Sequence, residues 1–207
     1  MLRIALLLLV SIAAFPAAAQ ETGSLPFHLP TPEGWKTETI PFPLGFAPDL
    51  DYAGLEELRF APGMFDSTAV DFWTYTFVWW VEPDADFSVS RLEGDLVAYW
   101  DGLAAAVGPG RGFEMGEHES TVRLRTEPDP ESVGPMQISG TAHIFEPFVT
   151  GRPLDLYLEI RIDRCEQQDR RVISIAVSPQ PASHAVWSTM GDIWRGFSCE
   201  AGSRGDH

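Results

Sequence analysis

His143, Tyr157, Glu159 and Arg161 carry an imidazole, a phenol, a carboxylate and a guanidinium, and all four fall in runs whose hydropathy alternates with period two. In a strand that period sends alternate side chains to opposite faces. Along residues 154–163, Tyr157, Glu159 and Arg161 oppose Leu154, Leu156, Leu158, Ile160 and Ile162. Along residues 136–145, His143 is in phase with Gln137, Ser139 and Thr141, opposite Ile138, Ala142 and Ile144, and along residues 121–126 Arg123 and Arg125 oppose Val122 and Leu124. Trp80 joins the same set through the run 72–81, where it alternates with Trp79 and shares a side with Thr74 and Thr76. Such a patch can bind a polar small ligand or a protein. The competing reading is a solvated outer sheet face with cross-strand ion pairs, partly covered by the N-terminal arm.

Motifs that would name a reaction are missing. The chain has no Gly-x-Ser-x-Gly elbow, and Ser183-His184 are neighbours in sequence, which does not aim an imidazole at the adjacent hydroxyl. His28, His118, His143, His184 and His207 are dispersed, without the spacing of a zinc site, so no metal and no other cofactor is expected. Glu117-His118-Glu119 reads as a solvated loop. His143 and Glu146 lie three apart on a strand and so point to opposite faces. The glycine-rich stretch 108–112 lacks the Lys and Ser/Thr of a phosphate loop and reads as a helix stop.

Positioning these groups falls to a chain that begins with Met1-Leu2-Arg3, an apolar run from Ile4 to Ala14 and Ala17-Ala18-Ala19. That is the pattern of a secretory signal peptide cleaved after Ala19, because the apolar run falls short of the ~20 residues that span a bilayer. A periplasmic or secreted product without a membrane anchor is expected. The chain holds 14 Lys and Arg against 30 Asp and Glu, a net charge of −16, which argues against nucleic acid as partner. Cys165 and Cys199 are its two cysteines, and in an oxidising compartment they are expected to form one disulfide.

The expected organisation is a signal peptide over 1–19, a mobile or surface-lying arm over 20–33, one domain over 34–199 and a disordered tail over 200–207. Strands are read at 35–40, 55–60, 72–81, 121–126, 136–145, 154–163 and 172–178, the first of them weak. The run 72–81 is the aromatic centre, with Trp73, Tyr75, Phe77, Trp79 and Val81 on its core face. Between it and the meander, Leu92, Leu96, Trp100, Leu103 and Val107 predict an amphipathic helix capped by Ser90 and Glu93. A second helix over 184–197 carries Val186, Trp187, Met190, Ile193, Trp194 and Phe197 behind a Ser183 cap. The fold class is therefore α+β, an antiparallel sheet of about six strands with two amphipathic helices packed on its apolar face. Cys165 strains that picture, since it is in phase with the polar series Asp155 to Asp163.

In this order of elements, with Pro32-Glu33-Gly34-Trp35 before the first strand and Trp187 to Phe197-Ser198 at the end, the chain resembles the PsbP/Mog1 α/β family. The resemblance covers roughly residues 34–199. It implies an antiparallel sheet flanked by helices and a non-catalytic accessory or binding role, and transfers no functional residue. The expectation is thus an exported, monomeric binding or accessory protein using the polar sheet face, for an unknown protein or small polar ligand. A hydrolase-like enzyme is the alternative, with His143, Tyr157 and Glu159 in proton transfer. An assembly factor working through the arm is a third.

Overall fold

The run Tyr75–Val81 is buried at every position, and aromatic and β-branched side chains without Gly or Pro suit it to the middle of a sheet. It is the third of seven strands in a computed structural model that describes residues 25–114, 116, 118–126 and 136–200. The strands are β1 (Lys36–Pro41), β2 (Gly54–Phe60), β3 (Tyr75–Val81), β4 (Thr121–Thr126), β5 (Met136–Glu146), β6 (Arg152–Cys165) and β7 (Arg170–Ser178). Helix α1 (Val89–Val107) follows β3, and helix α2 (Ala185–Arg195) follows β7. All neighbouring strands are antiparallel, in the spatial order β1-β2-β3-β7-β6-β5-β4. The class is α+β as expected, with seven strands rather than about six.

The first face of the sheet packs on α1. Tyr75, Phe77, Trp79 and Val81 of β3 join Leu156, Leu158, Ile160 and Ile162 of β6 and Ile173, Ile175 and Val177 of β7 in one core with Leu92, Leu96, Tyr99 and Trp100 of the helix. Trp73 belongs to this core although β3 starts only at Tyr75. Its backbone, with φ 52°, lies in the left-handed region that a strand cannot use.

The two helices do not share a face. On the second side of β3 and β7, Val78, Trp80, Val172 and Ala176 are buried by Val186, Trp187, Met190 and Ile193 of α2 together with Phe27 and Leu29. The expectation of two helices on one apolar face is corrected by the two-sided burial of the central strands, which alternation alone registers only on the more apolar side. Cys165 thereby loses its anomaly. It faces the side on which α2 lies, and it forms the disulfide with Cys199 across a Cα–Cα distance of 5.6 Å.

The N-terminal arm is the second correction. From residue 25 onward it is a packed strap, with Phe27 and Leu29 buried and His28 bridged in antiparallel fashion to Ser198. Arg59, itself buried and ion-paired to Glu57, donates from Nη2 to the Leu29 carbonyl at 2.8 Å and from Nε to the Pro30 carbonyl at 3.1 Å. Composition alone, rich in Pro and Ser, hid the two apolar anchors. The expected signal peptide and cleavage position, and the expected tail beyond Glu200, lie outside the described residues. No helix among the described residues is long and apolar enough to cross a membrane.

Both helix caps differ from expectation. Ser88, two residues before the expected Ser90, is the N-cap of α1, and its own N–H is taken by Asp86 Oδ1 at 2.9 Å. Glu93 instead accepts the Leu124 N–H at 2.8 Å, tying α1 to β4. At α2 the cap is His184, whose Nδ1 accepts the Val186 N–H at 3.2 Å, not Ser183.

Candidate functional site

Beyond α2 no described helix covers the second face. The helix and strap cover β2, β3 and β7, while β6, β5 and β4 continue outward with their polar residues toward solvent. The register aligns those residues in rows across the sheet, Thr121 with His143 and Asp155, Arg123 with Thr141 and Tyr157, Arg125 with Ser139 and Glu159, and Gln137 with Arg161. Directly opposed positions bring Cβ atoms within about 5.5 Å, so each row is a continuous polar strip.

Two depressions lie in this surface. One, of about 320 Å³, is lined by Thr121, Arg123, Thr141, His143, Asp155 and Tyr157. The other, of about 400 Å³, runs along the foot of α2 and is lined by Gln137, Ser139, Glu159, Arg161, Trp194 and Arg195 among others. Tyr157 stands on the same strand as Glu159 and is 46% exposed, a large aromatic residue partly left in water.

Of the six residues predicted for this face, five are therefore on it. His143, Arg123 and Tyr157 line the first depression, and Glu159 and Arg161 line the second. Trp80 is not with them. It is 4% exposed, sealed under Phe27 at a ring-centroid distance of 4.8 Å and flanked by Phe197. Thr76, grouped with it by periodicity, is also covered, since its hydroxyl accepts from Trp194 Nε1 at 2.8 Å and donates to the Ile175 carbonyl at 2.8 Å.

The charged groups are locally compensated. Arg161 Nη2 donates to Asp163 at 2.9 Å, Arg195 pairs with Asp192, and Arg123 Nη1 donates to the Val122 carbonyl at 3.0 Å. Partial burial pushes the Glu159 carboxyl above its ordinary pKa. His143 Nδ1 lies 2.6 Å from Asp155 Oδ1, and the His118 ring packs beside it with centroids 5.4 Å apart. The Asp155 contact fixes the orientation of an imidazole that is 47% exposed. Among the described residues no group of three or more His, Cys, Asp or Glu converges as a metal site.

Trp194 and Arg195 are the residues that sequence reasoning missed. Helical periodicity places Trp194 in the core stripe of α2, yet it is half-buried and forms one wall of the larger depression. The available signal was Arg195, adjacent to it and three residues from Asp192, which marks the polar margin of the helix. Ser183 and His184 form no catalytic pair, because His184 is engaged as the cap. Comparison with known proteins returns no match among family models, curated sequences or solved structures.

Proposed function

We propose that this protein is an exported binding protein that takes a polar partner on the open face of β4, β5 and β6. The observation that carries the reading is Tyr157, a half-exposed residue beside two polar depressions on the half of the sheet that α2 and the strap do not cover. Large aromatic groups supply contact area at little entropic cost, and the flanking Arg, Glu, Gln and Thr side chains supply directional hydrogen bonds. The signal-peptide pattern at residues 1–19, the disulfide and the net charge of −16 support work outside the cytoplasm. The order of elements that resembles the PsbP/Mog1 family supports an accessory rather than a catalytic role.

The second reading, an extracytoplasmic hydrolase, is favoured by the Asp155–His143 contact, which would hold the imidazole as a general base. Against it, His143 and Glu159 line different depressions of an open surface, whereas acid–base chemistry calls for groups converging on one substrate atom.

The test is the double variant Tyr157→Ala/Arg161→Ala, compared with the unaltered protein in pull-downs from extracytoplasmic extract, with circular dichroism as the control for folding. Loss of specifically retained partners is the expected result. An intact fold that retains the same partners would sink the proposal.

A further inference from the structure

A separate cavity lies on the opposite side of the sheet from the polar face, at the end of β1, β2 and β3 beneath α1. Five aromatic side chains there contact one another in a closed ring. Phe60 meets Phe65 at 5.9 Å between centroids, Phe65 meets Phe148 at 5.3 Å, Phe148 meets Trp73 at 5.4 Å, Trp73 meets Tyr75 at 6.3 Å, and Tyr75 returns to Phe60 at 6.0 Å. All five line one cavity of about 250 Å³, whose lining includes a single charged residue, Glu38 of the edge strand β1.

This end of the core is not packed to completion. Trp73 Nε1 is buried without a hydrogen-bond partner, while Phe65 leaves 43% of its surface in water. A core formed for stability alone would close such a space and pair that N–H. A void of this volume exceeds the ~150 Å³ that accommodates a benzene-sized guest.

We infer that the aromatic ring and Glu38 form a binding site for a small organic ammonium ion, one whose charge is spread over methyl or methylene groups. The faces of aromatic rings carry negative electrostatic potential, and several rings around one cavity attract a weakly hydrated cation that apolar packing also favours. Glu38 adds a carboxylate at the edge, and a net charge of −16 draws cations toward the surface. A neutral ligand of the same shape would gain the packing and lose both electrostatic contributions. An anion would meet Glu38 and the ring faces with the wrong sign.

Choline and its uncharged isostere 3,3-dimethylbutan-1-ol separate charge from shape. Each is titrated into the purified full protein by calorimetry and by following the tryptophan indole N–H resonances. Choline is expected to bind at least about tenfold tighter than the alcohol and to shift the Trp73 resonance. Glu38→Gln and Phe65→Leu, both at exposed positions, are each expected to weaken choline about threefold or more while leaving thermal unfolding unchanged. Equal affinity for the two probes, no saturable binding of either, or a response at Trp194 in place of Trp73 overturns the inference. Because the probes report on the first face, failure here leaves the polar-face proposal standing, and the Tyr157→Ala/Arg161→Ala result does not bear on this site.

Discussion

The ring of Phe27 lies 4.8 Å from the indole of Trp80, centroid to centroid, and so an arm that precedes the first strand completes the burial of the third. Trp80 sits in the middle of the sheet on the side away from α1, in one cluster with Ile193 of α2 and with Phe27 and Leu29 of the strap. Phe27→Ala removes that cover from a fully packed site. It is expected to cost about 3–5 kcal/mol, read as a lower urea midpoint, with Phe27→Leu costing far less. An unchanged midpoint for Phe27→Ala would show that the strap is not part of the folded core.

Arg59 and Glu57 form a buried ion pair, and Arg59 also holds the Leu29 and Pro30 carbonyls. Arg59→Met leaves a buried carboxylate without its cation and frees the strap. A loss of about 3–5 kcal/mol is expected. The double change Glu57→Met/Arg59→Met should recover part of that loss, because the stranded charge is gone; a double variant less stable than the single one would contradict the assignment.

The disulfide between Cys165 and Cys199 closes a sequence separation of 34 residues and joins the end of β6 to the segment after α2. Reduction, or Cys199→Ser, is expected to lower stability by about 2–5 kcal/mol. Thiol titration of the denatured, unreduced protein should find no reactive thiol. Two reactive thiols would disprove the bridge.

Glu56 is fully buried on the α1 face, accepts from Trp79 Nε1 at 3.1 Å, and has its pKa pushed up to about 8, chiefly by desolvation. The folded state then keeps a proton that the unfolded chain releases near the ordinary glutamate value. Its stabilising contribution is complete below that value and is lost as pH rises toward about 8, at no more than about 1.4 kcal/mol per pH unit. Glu56→Gln should therefore flatten the fall in stability across this window. Denaturant unfolding at several pH values checks it, and parallel profiles for the two proteins would exclude Glu56 as the source.

How far the site could be read from the sequence depended on what each strand packs against. Along β6 one side is Leu and Ile throughout and the other is polar, so the facing of Tyr157, Glu159 and Arg161 followed from period two alone. Trp80 could not be placed in that way, because β3 is apolar on both sides and alternation separates two faces without saying what covers either. The same gap hid the wall that Trp194 and Arg195 contribute, since a helical stripe shows which side of α2 is apolar and not which sheet face it meets.

By itself the amino-acid sequence determined the strands, both helices, the antiparallel α+β class and the pairing of the two cysteines, because these depend on local periodicity, chain direction and a count of two. Only the tertiary structure decided that α2 and the strap lie across the sheet from α1, that Trp80 is sealed by Phe27, and that Phe60, Phe65, Trp73, Tyr75 and Phe148 close into a ring. Those relationships join residues far apart in the chain through side-chain packing, and packing partners are selected by the complementarity of whole surfaces, which no local pattern encodes.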